Sequence, residues 1–217
     1  MSKKIITALF LAAVINTYAN DIEDINYINK LYQNKYYKET IAELEIFLKK
    51  YPSSKLYNSA QNMLAYNYFF LEKYKEAKQL YERVKTTEFK DEAVYYLIAI
   101  ALKEKNSIEA EKYITEINLK SNYGQKSYIL LGDYFAAENN RKKAEEYYRE
   151  VIKIENPSKQ EVLLKLAAFY YNGSEYSKTV AIGEKLILRS NEKSEYMPQL
   201  YYMLAYSNNQ IGQKQMQ

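Results

Sequence analysis

The sequence predicts an all-α protein, an α-solenoid of tandem helix–turn–helix units. Three observations point there. Apolar residues recur at the i, i+3/i+4, i+7 spacing of amphipathic helices through almost the whole chain. Only 5 Gly and 3 Pro among 217 residues supply too few turn residues for a β fold. One pattern of large, small and aromatic residues also returns about every 34 positions, a period typical of helical repeat arrays.

Residues 1–19 read as a separate object. Lys3-Lys4 precede an apolar run from Ile5 to Ile15, and Thr17-Tyr18-Ala19 puts small residues where a signal peptidase reads. This is the form of a secretory signal peptide. At eleven residues, ten of them apolar, this run falls well short of the ~20 that span a bilayer. The mature chain is therefore expected to start near Asn20, with no membrane span after cleavage.

Five repeats are expected over 20–197, followed by a capping helix or half repeat over 198–217. In the first, Asp21 is a candidate N-cap and Ile25, Ile28, Leu31 and Tyr32 form an apolar stripe. Ile41, Leu44, Phe47 and Leu48 follow on its second helix, and Pro52 closes the unit. The second unit holds Leu64, Ala65 and Tyr68, then Tyr74, Ala77, Tyr81 and Val84. The third holds Ile98, Ala99 and Leu102, then Ala110, Ile114 and Ile117. The fourth, Asn122 to Pro157, holds Leu131, Gly132 and Phe135, then Ala144, Tyr148 and Val151. The fifth holds Leu166, Ala167 and Tyr170, then Tyr176, Val180 and Leu186, and a last helix from Pro198 carries Leu204 and Ala205.

The small residue of each first helix is read at Ala65, Ala99, Gly132, Ala167 and Ala205, with its mate at Ala77, Ala110, Ala144 and Thr179. Small side chains at a crossing let two helices approach to the close end of the usual 8–10 Å. Asn106-x-x-Glu109 and Ser158-x-x-Glu161 have the capping-box form, and Pro198 suits a first helical turn. The first unit is degenerate, with Ile28 opposite Thr40, as a terminal repeat can be.

The order Leu-Gly, aromatic, Ala, aromatic, Pro over 122–157 resembles the tetratricopeptide repeat (TPR). The stretch Asn34 to Val84 resembles more particularly the envelope TPR proteins of Gram-negative bacteria, in Tyr51-Pro52-Ser53, Ala60, Leu64-Ala65 and Tyr74-x-x-Ala77. Two such families are the Tol–Pal-associated periplasmic coordinator and the lipoprotein of the outer-membrane assembly machine. The chain departs from both. It has no Cys to acylate, and no coiled coil precedes its repeats. The resemblance implies a periplasmic or cell-envelope adaptor.

Composition excludes several kinds of chemistry. With no Cys and no His there are no disulfides, no Cys/His zinc site and no Cys- or His-dependent nucleophile. The net charge of +4 falls to about +2 without Lys3 and Lys4, and Lys and Glu are interspersed, which gives nucleic acid no footprint. The 26 Tyr, with abundant Lys, Asn and Ile, read as the bias of an AT-rich genome. Paired carboxylates at Glu43/Glu45, Asp91-Glu92 and Glu145-Glu146 sit on polar helix faces, where neighbours point about 100° apart and do not converge. Asp21 to Asp24 lacks the Gly turn and closing Glu of a calcium loop. No cofactor, metal or catalytic residue is expected, and the chain reads as a non-enzyme.

A solenoid presents the first helix of each repeat to a shared surface. On this register that surface receives Tyr32, Asn62, Tyr66, Phe69, Tyr96, Lys103, Asp133, Tyr171, Tyr202 and Tyr206. The Lys/Asn/Arg cluster of the TPR carboxylate clamp has only Asn62 and Lys103 as counterparts. An aromatic groove for a protein or peptide partner is the reading, with packing between repeats the competing role for several of these Tyr. The alternative is a part of a larger or self-associating TPR scaffold, since the polar ending IGQKQMQ falls where a second helix is due.

Overall fold

The computed structural model describes residues 20–155, 159–188 and 194–215, so the expected signal peptide and the Ser158 capping box lie outside the described residues. Helices alternate with tight turns throughout. They are α1 (20–33), α2 (Tyr37–Lys50), α3 (Tyr57–Phe70), α4 (Tyr74–Val84), α5 (Lys90–Lys103) and α6 (Ser107–Ile114). After these come α7 (Asn122–Ala137), α8 (Arg141–Lys153), α9 (Lys159–Asn172), α10 (Tyr176–Ile187) and α11 (Met197–Gln215). Among the described residues there is no strand. The described residues fall into two compact units, divided between Ile117 and Asn118 and referred to by the ranges 1–117 and 118–217.

The turn inside each helix pair has one stereochemistry. Lys35, Glu72, Lys105, Asn139 and Ser174 all adopt positive φ, between 57° and 62°. The residue after each one returns its N–H to the carbonyl five positions back: Tyr36 to Leu31, Lys73 to Tyr68, Asn106 to Ala101, Asn140 to Phe135, Glu175 to Tyr170. This is the left-handed C-terminal cap that satisfies the last orphan carbonyls of a helix. Glycine normally takes that position, because other residues carry a Cβ penalty there. Here none of the five is glycine, so the turns left little trace in the sequence.

These five turns fix the register independently of side-chain size. Seven positions before each lies the residue that crosses the partner helix: Ile28, Ala65, Ile98, Gly132 and Ala167, all buried. Five positions after each lies its mate: Thr40, Ala77, Ala110, Ala144 and Thr179, each fully buried. The expectation that Ala99 and Ala205 occupy the crossing is corrected. Ala99 is half-buried beside the fully buried Ile98, and Ala205 is exposed beside the buried Leu204. A helix turns about 100° per residue, so a slip of one position moves a side chain off the buried face. The crossing tolerates Ile opposite Ala, and smallness alone misplaces it by one.

In the first unit the core runs through Ile28, Leu44, Phe47, Ala60, Ala65, Tyr81, Val84, Leu97, Ile98 and Ile100. Asp21 is not the N-cap expected for it. Residue 20 is already helical, and Asp21 is 3% exposed, its carboxylate accepting the Ser54 hydroxyl at 2.5 Å. Its neighbour Asp24 takes Lys50 at 2.9 Å and the Tyr51 hydroxyl at 2.8 Å, which hold that carboxyl below its ordinary value. Helix α4 is tied to α6 by Lys78–Glu109 (2.7 Å) and to the segment just after α6 by Lys85–Glu116 (3.2 Å). Of the expected Asn106 box the cap half forms, its Oδ1 accepting the Glu109 N–H at 3.1 Å, but the Asn106 backbone N–H goes to Ala101 and Glu109 instead accepts the Asn106 side-chain amide at 3.2 Å. Helix α6 ends at Ile114, so Ile117 is buried from the segment that follows it.

In the second unit Leu131, Ala144, Tyr148, Val151, Leu166, Ala167, Tyr170, Leu186 and Leu200 build the core. Ser121 and Asn140 cap α7 and α8, accepting the N–H groups of Gly124 and Lys143. Two glycines permit close approaches. A Cβ on Gly124 would stand 1.9 Å from the Asn118 carbonyl oxygen, and one on Gly132 would stand 2.6 Å from the Tyr148 ring. Gly132 thus makes room for Tyr148, one turn beyond the Ala144 expected opposite it. Pro198 sits in the first turn of α11, where its missing N–H costs no helical bond.

Candidate functional site

Tyr66 stands at the centre of a ring cluster built by three successive first helices of the unit 1–117. Tyr32 of α1 meets it at 5.7 Å and 76°, and Tyr96 of α5 at 5.5 Å and 83°. Phe69 touches Tyr96 at 5.0 Å, and Tyr96 stacks on the buried Tyr81 at 5.1 Å and 10°. Centroid separations of 4.5–7 Å with steep interplanar angles are the favoured geometry of aromatic pairs. Tyr32, Tyr66, Phe69 and Tyr96 are all half-buried, so each packs against its neighbours and still shows an edge or face. Burial, and then hydrogen bonding with Tyr66, pushes the Tyr32 phenol up to about 12. It stays neutral, and a hydrogen-bond donor, at any physiological pH.

Asn62 lies one turn before Tyr66 on α3 and is 8% exposed. Its Oδ1 is buried with no hydrogen-bond partner among the described residues. Lys103 is exposed at the last position of α5. Glu92, expected on a solvated face, is half-buried instead, one turn before Tyr96.

Two cluster members went unread in the sequence. Phe70 is 52% exposed and packs on Tyr37 at 4.6 Å and on Tyr66 at 5.9 Å. Its spacing of i+4 from Tyr66 was the available signal. Tyr37 left none, because its contact comes from the second helix of the preceding pair.

The remaining expected residues lie in the unit 118–217 and form their own group. Tyr171 of α9 meets Tyr202 at 6.3 Å and Tyr206 at 5.6 Å on α11, and Tyr176 joins at 5.9 Å from Tyr206. Tyr202 and Tyr206 are exposed. Asp133 is occupied within the unit: it accepts the Tyr148 hydroxyl at 2.5 Å and pairs with Lys165 at 2.9 Å. A cavity of about 370 Å³ opens beside that pair, with Arg141 over the Phe169 ring at 4.2 Å. Arg141 is itself paired with Glu175, so the cavity carries balanced charge.

Among the described residues no group of three or more Asp or Glu could hold a metal ion, and no helix is long and apolar enough to cross a membrane.

Two stretches of the chain, 59–90 and 125–157, match the family model of the tetratricopeptide repeat. They cover α3–α4 with the start of α5, and most of α7 through α8. Those two stretches are tetratricopeptide repeats by this match, and the fold class is that of a TPR solenoid. Solved TPR structures share the fold. A TPR protein from Parabacteroides merdae is similar at a TM-score of 0.63 and 15% identity, over 91% of this chain and 74% of that one. YrrB, described as a TPR protein with an unusual peptide-binding site, is similar at 0.54 and 19% over 82% and 90%. PilW, a widely conserved type IV pilus biogenesis factor, is similar at 0.58 and 14% over 87% and 86%. No curated protein sequence matches the chain. TPR arrays of this kind offer binding surfaces for protein or peptide partners.

Proposed function

We propose that this protein is an exported adaptor of the bacterial cell envelope that binds a protein or peptide partner through the first-helix face of residues 20–117. One observation carries the reading. Tyr32, Tyr66, Phe69, Phe70 and Tyr96 interlock across three helices yet remain partly open. Rings fixed by one another lose little rotamer freedom when a partner covers them, which is the economy of an aromatic binding surface. Exposed Tyr202 and Tyr206 offer a second such surface in residues 118–217. Peptide binding by YrrB and pilus biogenesis by PilW, each on the same fold, support an adaptor rather than a catalyst. The envelope setting rests on residues 1–19 and on the resemblance of Asn34 to Val84 to envelope TPR proteins.

The test is Tyr66→Ala with Phe69→Ala. Hot-spot truncations typically lose about 2 kcal/mol or more each, so the pair should weaken partner binding by well over tenfold. Ala60, Leu64 and Ala65 remain to hold α3 in its core. Calorimetry with a partner captured from envelope extract reads the affinity, and circular dichroism confirms the fold. Unchanged affinity in the folded variant refutes the assignment of this face. For export, mass spectrometry of the native protein should find an N-terminus at or near Asn20, and an intact Met1 in cytosol would refute it.

A further inference from the structure

We infer that the aromatic face of the unit 1–117 takes a basic side chain, lysine or arginine, from its peptide partner, with Glu92 as the counter-charge. The inference rests on the peptide-binding reading of this face and specifies the anchor. Glu92 lies one turn before Tyr96 on α5, the i,i+4 spacing that stacks two side chains on one helix face. Its carboxylate also acts on the phenol of Tyr32, across on α1. It therefore shares a helix face with Tyr96, the ring that stands at 83° to Tyr66, while Tyr32 meets Tyr66 at 76°. Among the described residues the Glu92 carboxylate has neither an ion-pair nor a hydrogen-bond partner, although the residue is half-buried. By contrast Glu82, Glu109 and Glu116 of the same unit are all paired with lysines.

A half-buried carboxylate beside ring faces suits one occupant above others. Lysine and arginine carry an apolar stem that packs on rings and a cation that the ring quadrupole and a carboxylate both attract. An acidic anchor would meet like charge at Glu92. A purely apolar anchor would bury that carboxylate further with nothing to compensate it.

The experiment pans a random twelve-residue peptide library against the full chain and measures selected peptides by fluorescence polarisation. Selected peptides should be enriched in lysine or arginine, and replacing that residue by norleucine should cost about tenfold, within the range of a desolvated cation over rings. Glu92→Gln should weaken the basic peptide about fivefold and leave its norleucine version unchanged. Peptides that need Tyr66 and Phe69 but show no basic preference, or ignore Glu92→Gln, overturn the basic anchor and leave the binding face standing. If no selected peptide responds to the Tyr66→Ala/Phe69→Ala change, the binding face falls and this inference falls with it.

Discussion

Replacing Gly132 by alanine sets two physical effects against each other. In an open helix interior the change stabilises by about 0.5–1 kcal/mol, because glycine loses more backbone freedom on folding. At Gly132 the new Cβ would stand 2.6 Å and 2.7 Å from Cε1 and Cδ1 of Tyr148, and 3.1 Å from Cζ. Carbon pairs settle at about 3.5–4.0 Å, so the ring must retreat by about 1 Å. It has nowhere to go: Tyr148 is 3% exposed and its hydroxyl is tied to Asp133 at 2.5 Å, which Lys165 holds in turn. Overpacking of this kind costs about 1–3 kcal/mol, so alanine should be net destabilising by about 1 kcal/mol and leucine by more. Urea and thermal unfolding followed by circular dichroism read the loss, a midpoint about 2–4 °C lower for a chain of this size. Gly212→Ala is the matched control, since nothing lies within 4 Å of its Cβ position, and it should be neutral or stabilising. In a Tyr148→Leu background the Gly132→Ala penalty should shrink, a coupling that a double-mutant cycle isolates. Equal gains from Gly132→Ala and Gly212→Ala would refute the close ring contact, and with it the register of the fourth repeat.

Further expectations follow from the same geometry. Gly124→Ala should cost about 3 kcal/mol or more, because its Cβ meets a backbone carbonyl at 1.9 Å that cannot rotate away, and the same unfolding assay reads it. Glu72→Gly or Lys105→Gly should raise the unfolding midpoint, because each relieves a left-handed residue of a Cβ penalty of about 1 kcal/mol; a lowered midpoint would show that these turns are not left-handed. Glu82 gives a pH test. Burial pushes its carboxyl up, but the Tyr113 hydroxyl and Lys85 outweigh this and hold it below the ordinary 4.5. A depressed folded-state pKa contributes stability that is present above the unfolded value and lost as pH falls through the folded one. Glu82→Gln should therefore be less stable than the parent at pH 7, with the gap closing below about pH 4 in denaturant titrations. A gap that persists unchanged into acid would refute the ionic role.

The sequence by itself determined the helical class and most of the core. Those follow from local periodicity and from a motif that recurs because each repeat meets the same environment. Leu64, Ala65, Ala77 and Tyr81 could be read as core without coordinates, and Asn106 could be read as an N-cap. What the sequence misplaced was the crossing in the third repeat and in the last helix, where Ala99 and Ala205 stand beside Ile98 and Leu204. Side-chain size is a loose guide there. The register is set by left-handed turns at Lys105 and its equivalents, and residues other than glycine occupy all five. The first-helix aromatics could likewise be placed on one face by spacing. Only the tertiary structure decided which rings meet across helices, that Phe70 and Tyr37 join them, and that Glu92 is half-buried with no ion-pair partner among the described residues. Those ring contacts across helices join residues 15 to 35 positions apart, and local spacing carries no information about which side chains the stacking of repeats brings together.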